Sequence, residues 1–222
     1  MDLFDGPVII IILVAAAIIG IIYLVVRAEK KRTENLKTKA HMMGLSFSEK
    51  TPDDFISTLS EFKLFTEGHS KKAHNLIEGS AQGIQYSIFD YRYTVGAGKH
   101  SQTHIQTVFS AKKDNMKLPK FSMTPEYFYH KIGDLLGSKD IDFVNKPIFS
   151  KKYLLKGSDE TAIRNTFKEE ILSFFERKKE KIAIQANGNK MILYRPSKNI
   201  KPKDLTKFKD ESIKIVELFS EK

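Results

Sequence analysis

The feature that most constrains this chain is an uninterrupted apolar run close to its N-terminus. Residues 7–26 read PVIIIILVAAAIIGIIYLVV, twenty residues without a charged side chain. At a rise of ~1.5 Å per residue, such a run spans the ~30 Å hydrocarbon core of a bilayer. Because lipid offers the backbone no hydrogen-bond partners, a single crossing segment has to be a helix. The sequence therefore predicts a transmembrane helix over residues 7–26, with the lipid bilayer as its partner.

A cleavable signal peptide is the alternative for such a segment. The alanines at positions 15–17 resemble a cleavage site, but the apolar run continues for nine residues beyond them. The preceding segment is acidic through Asp2 and Asp5, whereas a signal peptide begins with basic residues. We therefore interpret the run as an uncleaved anchor.

Basic residues flank the apolar run on its C-terminal side alone. Arg27, Lys30, Lys31 and Arg32 follow the run, and no Lys or Arg precedes it. The positive-inside rule then predicts a single-pass protein of the cell (inner) membrane, with its N-terminus outside and its C-terminal domain in the cytoplasm. The same four side chains are candidate contacts for anionic lipid headgroups.

The chain divides into four parts on these grounds. Between Glu29 and Met43 it lacks Gly and Pro, and Gly44 stands where a helix-ending glycine is expected. The length that remains suits one domain. The predicted parts are a short extracytoplasmic tail (1–6), the transmembrane helix (7–26), a juxtamembrane basic helix (27–44) and a soluble domain (45–222).

Composition narrows the function classes. The formal charge is +10, yet only six of the 37 basic residues are Arg, the residue on which sequence-reading nucleic-acid sites depend. A nucleic-acid partner is therefore disfavoured. The chain has no Cys, which excludes disulfides, thiolate nucleophiles and Cys-based metal sites.

Hydrophobic periodicity and turn signals predict the elements of the domain. Residues 48–53 and 138–146 are expected to be loops. A hairpin turn is expected at Asn187-Gly188, between strands 181–185 and 190–195. Further strands are predicted over 75–78, 84–94, 103–111, 120–123 and 152–155, and helices over 124–137, 158–179 and 202–220. The predicted fold class is α+β: an N-terminal transmembrane helix followed by one domain with a mostly antiparallel sheet and packed helices.

Known catalytic and metal-binding motifs are not matched. The segment from Thr94 to Lys99 resembles a phosphate-binding loop but joins two strands and lacks the required flanking residues. His100 and His104 would stand roughly 13 Å apart on a strand, too far to share an ion. We therefore assign no catalytic residue, no metal site and no cofactor.

The hairpin over residues 84–111 carries an unusual set of hydrogen-bonding side chains. If Val95 pairs with His100, one face gathers four of them, which we take as a candidate binding face: Tyr91, Tyr93, Gln102 and His104. The simpler interpretation is an ordinary solvent-facing side of a sheet, with Asp90 and Arg92 as a surface ion pair on the opposite face.

Two segments also carry a resemblance. FDYRYTVGAGKHSQTHIQTV and YLLKGSDETAIRNTF resemble a bacterial family of single-pass membrane-anchored proteins of unknown function. The resemblance implies a bacterial source and a small anchored domain, and it implies no activity.

Two functions remain open at this point. The first is a membrane-tethered, non-catalytic cytoplasmic binding or scaffold domain that holds a protein partner or a lipid headgroup at the bilayer. The alternative is a membrane-bound enzyme, a hydrolase for example, that uses the region of Tyr91, Arg92 and His104. A pocket around these side chains with a perturbed titratable group would favour the enzyme.

Overall fold

Helix α1 (Gly6–Met42) continues without a break from the apolar run into the domain. The structure, a computed structural model, describes residues 6–129 and 140–220. Within α1, a window of mean hydropathy 3.3 has none of its residues buried against the domain. The helix is therefore long and apolar enough to cross a membrane, as predicted.

The described residues form the following elements after α1. The strands are β1 (Ser46–Lys50), β2 (His69–Ala81), β3 (Ile84–Val95), β4 (Gln102–Lys112), β5 (Leu118–Pro125), β6 (Tyr153–Gly157), β7 (Ala183–Gly188) and β8 (Lys190–Tyr194). The helices are α2 (Lys63–Thr66), α3 (Glu126–Tyr129), α4 (Pro147–Lys152), α5 (Glu160–Thr166), α6 (Glu169–Arg177) and α7 (Leu205–Ser220). Short 3₁₀ turns lie at Ser57–Leu59, Gly98–His100 and Pro202–Asp204.

All eight strands belong to one sheet in the order β1-β2-β3-β4-β8-β7-β5-β6, and every neighbouring pair is antiparallel. Together with the helices, this sheet confirms the predicted α+β class.

Both faces of the sheet are covered. On β3, Tyr86 and Ile88 point to one side and Phe89 and Tyr91 to the other, and all four are buried. The first side packs against α1, α5, α6 and α7. The second side packs against residues 55–65, which include α2.

The sequence predictions missed three elements, β1, α2 and α4, and merged two helices into one. Strand β1 occupies the first half of the expected loop 48–53, and α4 follows the expected loop that ends at residue 146. The helix predicted over 158–179 is two helices, because the chain turns at Phe167, which is buried between Phe121 and Phe219.

Two helix starts also differ from the predictions. The side chain of Asp159 caps α5 by accepting a hydrogen bond from the Ala162 N–H at 2.9 Å, so this helix begins at Glu160 rather than at the predicted residue 158. Strand β5 runs through Pro125, so α3 begins at Glu126. The rest of the predicted helix 124–137 lies outside the described residues.

Candidate functional site

A buried ion pair joins helix α1 to the sheet. Arg32 on α1 donates from Nε and Nη2 to the two carboxylate oxygens of Asp90 on β3, at 2.8 and 2.7 Å. Its Nη1 donates to the carbonyl of Ile200 at 2.8 Å. Asp90 also accepts hydrogen bonds from Asn75 Nδ2 at 3.0 Å and from Thr107 Oγ1 at 2.8 Å. We call these residues the Arg32–Asp90 network.

The geometry of this network is that of a strong interaction. The two parallel N–H···O bonds form the bidentate arrangement that guanidinium and carboxylate groups favour. The side chain of Asp90 is only 1% exposed and that of Arg32 is 18% exposed, so water screens the pair little. Because α1, β3 and the loop at Ile200 all contribute, the network connects three separate parts of the chain.

Below Arg32, the last turns of α1 are part of the hydrophobic core. Leu36 and Ala40 are buried among residues of the sheet and of α7. The helix ends with bonds from the Gly44 N–H to the His41 carbonyl and from the Leu45 N–H to the Ala40 carbonyl, both 3.0 Å. This is the glycine-terminated helix end that the sequence predicted. The predicted domain boundary at residue 45 stays a prediction, but core packing extends across it.

The predicted headgroup contacts separate into two groups. Arg27, Lys30 and Lys31 are exposed on α1. Arg32 is turned toward the domain and held by Asp90, so its guanidinium is not free for a lipid headgroup. The sequence offered no way to distinguish Arg32 from its neighbours, because its partner lies 58 residues away.

The β3–β4 hairpin has a different register from the predicted one. Val95 pairs with Gln102, rather than with His100, because a 3₁₀ turn lengthens the loop. Tyr93 therefore lies opposite His104, and Tyr91 lies opposite Gln106. The shift is two residues, which preserves the faces on which the side chains lie.

The predicted binding face is largely covered. Tyr91 and Tyr93 have no exposed surface, and His104 is 5% exposed, whereas Gln102 is exposed. The ring of Phe65 on α2 packs on Tyr91 at a centroid distance of 4.8 Å. Burial raises the pKa of both tyrosines. These rings form a stacked core rather than an open surface, because residues 55–65 cover them.

Asp90 and Arg92 do not form the surface ion pair considered above. Asp90 is buried with Arg32, while Arg92 is exposed. Arg92 lies directly opposite Ile105 on β4, on the face of the sheet that does not carry His104.

His104 forms a polar contact that the sequence did not reveal. Its Nδ1 lies 2.8 Å from the hydroxyl oxygen of Ser197, which belongs to the loop after β8. Ser197 has a positive φ of 54°, an uncommon conformation for a residue other than Gly. Its backbone N–H donates to Gln106 Oε1 at 3.0 Å. The turn composition of Pro196 to Asn199 is the only sequence signal for this loop.

A second buried charge cluster lies where the segment after α6 meets α7. Lys178 pairs with Glu211, and Arg195 Nη2 contacts the same carboxylate at 2.8 Å. Burial, followed by the positive charge of Arg195, lowers the pKa of Lys178 to about 8. The cluster fastens the end of β8 to α7 and lies apart from the hairpin.

A cleft of about 980 Å³ opens at the end of the sheet where β5 begins. Met116, Ile171 and Phe219 contribute apolar surface to it, and Lys117 and Lys168 contribute charge. Its size is within the range of small-molecule sites. Neither the predicted hairpin residues nor the Arg32–Asp90 network lines it.

Metal binding is not indicated for residues 6–129 and 140–220, in which no group of three or more His, Asp and Glu side chains could hold an ion.

Comparisons with known proteins identify a similar fold but no family. No protein-family model and no curated protein matches the chain. A solved structure that it resembles is that of the mycobacterial trehalose monomycolate transport factor A, TtfA, with a TM-score of 0.58 at 12% sequence identity. The similarity covers 85% of this chain and 92% of that one. At this identity the likeness is one of fold: the chain shares the architecture of the transport factor.

Proposed function

We propose that the chain is a membrane-tethered, non-catalytic domain that binds or scaffolds a protein partner in a fixed orientation at the bilayer. The observation that carries the proposal is the Arg32–Asp90 network together with the burial of Leu36 and Ala40. Anchor and domain share one helix and one core. A domain on a flexible linker would sample many orientations, whereas this attachment favours a single one.

The proposed topology has the N-terminus outside and the C-terminal domain in the cytoplasm of a bacterial cell, across the inner membrane. Arg27, Lys30 and Lys31 are the exposed basic residues next to the apolar run. They support this orientation through the positive-inside rule. They would also contact anionic headgroups, with ~1 kcal/mol for each basic residue near the surface.

The shared fold with TtfA is compatible with this proposal. That protein is described as a transport factor, a description that names no chemical conversion. Such a description suits a tethered domain that positions a partner better than it suits an enzyme.

Cross-linking in living cells tests the proposal. The full chain with a C-terminal tag should recover a defined set of proteins, because the anchor brings the domain to them. A chain whose residues 7–26 are replaced by an unrelated transmembrane segment should recover the same set. Removal of residues 1–26 should abolish recovery, and equal recovery without the anchor would contradict the proposal.

A second candidate function rests on the contact between Ser197 and His104. A serine hydroxyl 2.8 Å from an imidazole nitrogen is the arrangement that activates a nucleophile in hydrolases. The strained backbone of Ser197 is also typical of functional positions.

A fluorophosphonate probe separates the two candidates. Under the scaffold proposal the full chain stays unlabelled, because the serine only fixes the loop after β8. Covalent labelling that disappears in Ser197→Ala would instead assign a hydrolase.

A further inference from the structure

Strand β3 runs in the direction opposite to α1, toward the membrane. Arg32 contacts Asp90. Thirteen residues further along the chain, Leu45 lies against Gly79: a β-carbon added to this glycine would be 2.6 Å from Leu45 Cδ2. Gly79 pairs with Tyr86, which precedes Asp90 on β3. The residues of β3 that follow Asp90 therefore point back along α1 toward its apolar half.

Simple distances place the tip of this hairpin at the bilayer. Arg32 follows the last apolar residue, Val26, by six positions, or ~9 Å along the helix axis. Val95 follows Asp90 by five positions, or ~17 Å along the strand. If the strand and the helix cross at ~40°, the segment from Asp90 to Val95 still extends ~13 Å along the helix axis. This is longer than the ~9 Å that separates Arg32 from Val26. The tip thus reaches the level at which α1 leaves the hydrocarbon.

This end of the hairpin carries exposed positive charge that the fold leaves unbalanced. Lys72 on β2 lies directly opposite Arg92 on β3, and both are exposed. Like charges in directly opposed positions destabilise a sheet unless an anion lies near them. Lys99 is exposed at the tip. Across the described residues, no ion pair is formed by any of these three side chains, which we call the basic hairpin end.

An exposed apolar side chain accompanies the charges. Ile105, opposite Arg92 on β4, has 38% of its surface exposed. Basic residues beside an exposed aliphatic side chain suit the membrane interface, where the charges meet phosphates and the apolar group meets the upper acyl chains.

We infer that the basic hairpin end, Lys72, Arg92 and Lys99, binds anionic phospholipid headgroups of the leaflet from which α1 emerges. The domain then has two contacts with the membrane, the anchor and the hairpin. This inference rests on the proposed crossing of the membrane by α1. It adds a contact of the folded domain with lipid to the role of the anchor.

Depth-dependent fluorescence quenching tests the inference on the full chain in vesicles. The chain lacks Cys, so a single introduced Cys carries the only label. We choose Ala97→Cys at the hairpin tip and, as the matched control, Asn115→Cys in the loop between β4 and β5. The vesicles contain phosphatidylcholine with or without phosphatidylglycerol, and spin-labelled headgroups in both leaflets.

The label at position 97 should be strongly quenched in phosphatidylglycerol vesicles, and the label at position 115 should not. Combined substitution of Arg92→Gln and Lys99→Gln should reduce quenching at position 97 to the level of neutral vesicles. The control substitutions Lys113→Gln and Lys117→Gln remove the same charge at the other end of the sheet. They should leave the quenching at position 97 unchanged. Equal quenching at both positions, or no effect of the Arg92 and Lys99 substitutions, would overturn the inference.

A third label separates this inference from the anchoring on which it rests. Ile18→Cys should be quenched by a spin label in the acyl chains. If it is not quenched, α1 does not cross the bilayer and both proposals fall. If position 18 is quenched and position 97 is not, the anchor stands and the hairpin contact alone is refuted.

Discussion

Asp90 is the residue on which the connection between α1 and the rest of the domain depends. Its buried carboxylate is stable only because Arg32, Asn75 and Thr107 supply hydrogen bonds. A buried ion pair of this kind adds little net stability over an apolar pair of the same volume, but the loss of one partner is costly. The network therefore fixes the position of α1 against the domain more than it adds to the free energy of unfolding.

Substitution of Arg32 tests this description. Arg32→Met should lower the free energy of unfolding by ~3 kcal/mol, because it leaves the buried carboxylate of Asp90 without its counter-ion. Chemical denaturation of the full chain in detergent micelles measures the change. Lys31→Met, which removes an exposed charge on the same turn, should have little effect. Adding Asp90→Asn to Arg32→Met should recover part of the loss, and failure to recover any would contradict the assigned pairing.

The buried tyrosines predict a specific response to alkaline pH. Burial raises the folded-state pKa of Tyr93 above its ordinary value of 10.0. A group whose pKa is raised on folding contributes stability below its unfolded pKa, and that contribution declines as the pH rises above it. The free energy of unfolding should therefore fall above about pH 10, and Tyr93→Phe should make this fall less steep.

The same substitution should be harmless at neutral pH. Among the described residues, the hydroxyl of Tyr93 has no hydrogen-bond partner. Tyr93→Phe should thus leave stability at pH 7 unchanged or raise it by up to ~1 kcal/mol. Tyr91→Phe is the control, since it removes a hydroxyl that donates to the Leu64 carbonyl. A large loss in Tyr93→Phe would show that its hydroxyl has an essential partner.

At the scale of elements, α1 combines two environments in one helix. Its first half exposes apolar side chains on all sides, as a segment in lipid does, while its last turns bury only Leu36 and Ala40. The change occurs around Arg32. A domain cut at the predicted boundary before residue 45 would lose both core residues and the counter-ion of Asp90.

Truncated chains locate the true start of the domain. A chain that begins at Glu29 keeps Arg32 and should unfold in one cooperative transition. A chain that begins at Leu36 keeps the core residues but exposes Asp90 without Arg32, so it should be less stable by ~3 kcal/mol. Urea denaturation of the two chains gives the comparison, and equal midpoints would show that the network does not contribute to the domain.

For the whole molecule, the orientation across the membrane is the main expectation. Alkaline phosphatase fused after Lys222 should be inactive, because the fusion remains in the reducing cytoplasm, where its disulfides do not form. The substitutions Asp2→Lys and Asp5→Lys should weaken the difference in charge between the two flanks of the apolar run and increase phosphatase activity. An active fusion on the unaltered chain would reverse the proposed topology.

The local features of this protein followed from its sequence. Composition alone identifies the segment that is long and apolar enough to cross a membrane, since a run of this length without charge has few other stable environments. Alternation and turn residues located β3, β4, β8 and α7, because these elements bury faces with a regular period. The hairpin of β7 and β8 was expected as well, although its turn lies at Gly188-Asn189 rather than at Asn187-Gly188.

Only the tertiary structure decided which side chains are accessible. Sequence patterns could not show that residues 55–65 cover Tyr91 and Tyr93, nor that the chain turns at Phe167 within the helix predicted over residues 158–179. They also could not pair Arg32 with Asp90 or His104 with Ser197, which are 58 and 93 residues apart. Local periodicity reports which face of an element is apolar. What packs against that face depends on contacts between distant parts of the chain, which no local pattern encodes.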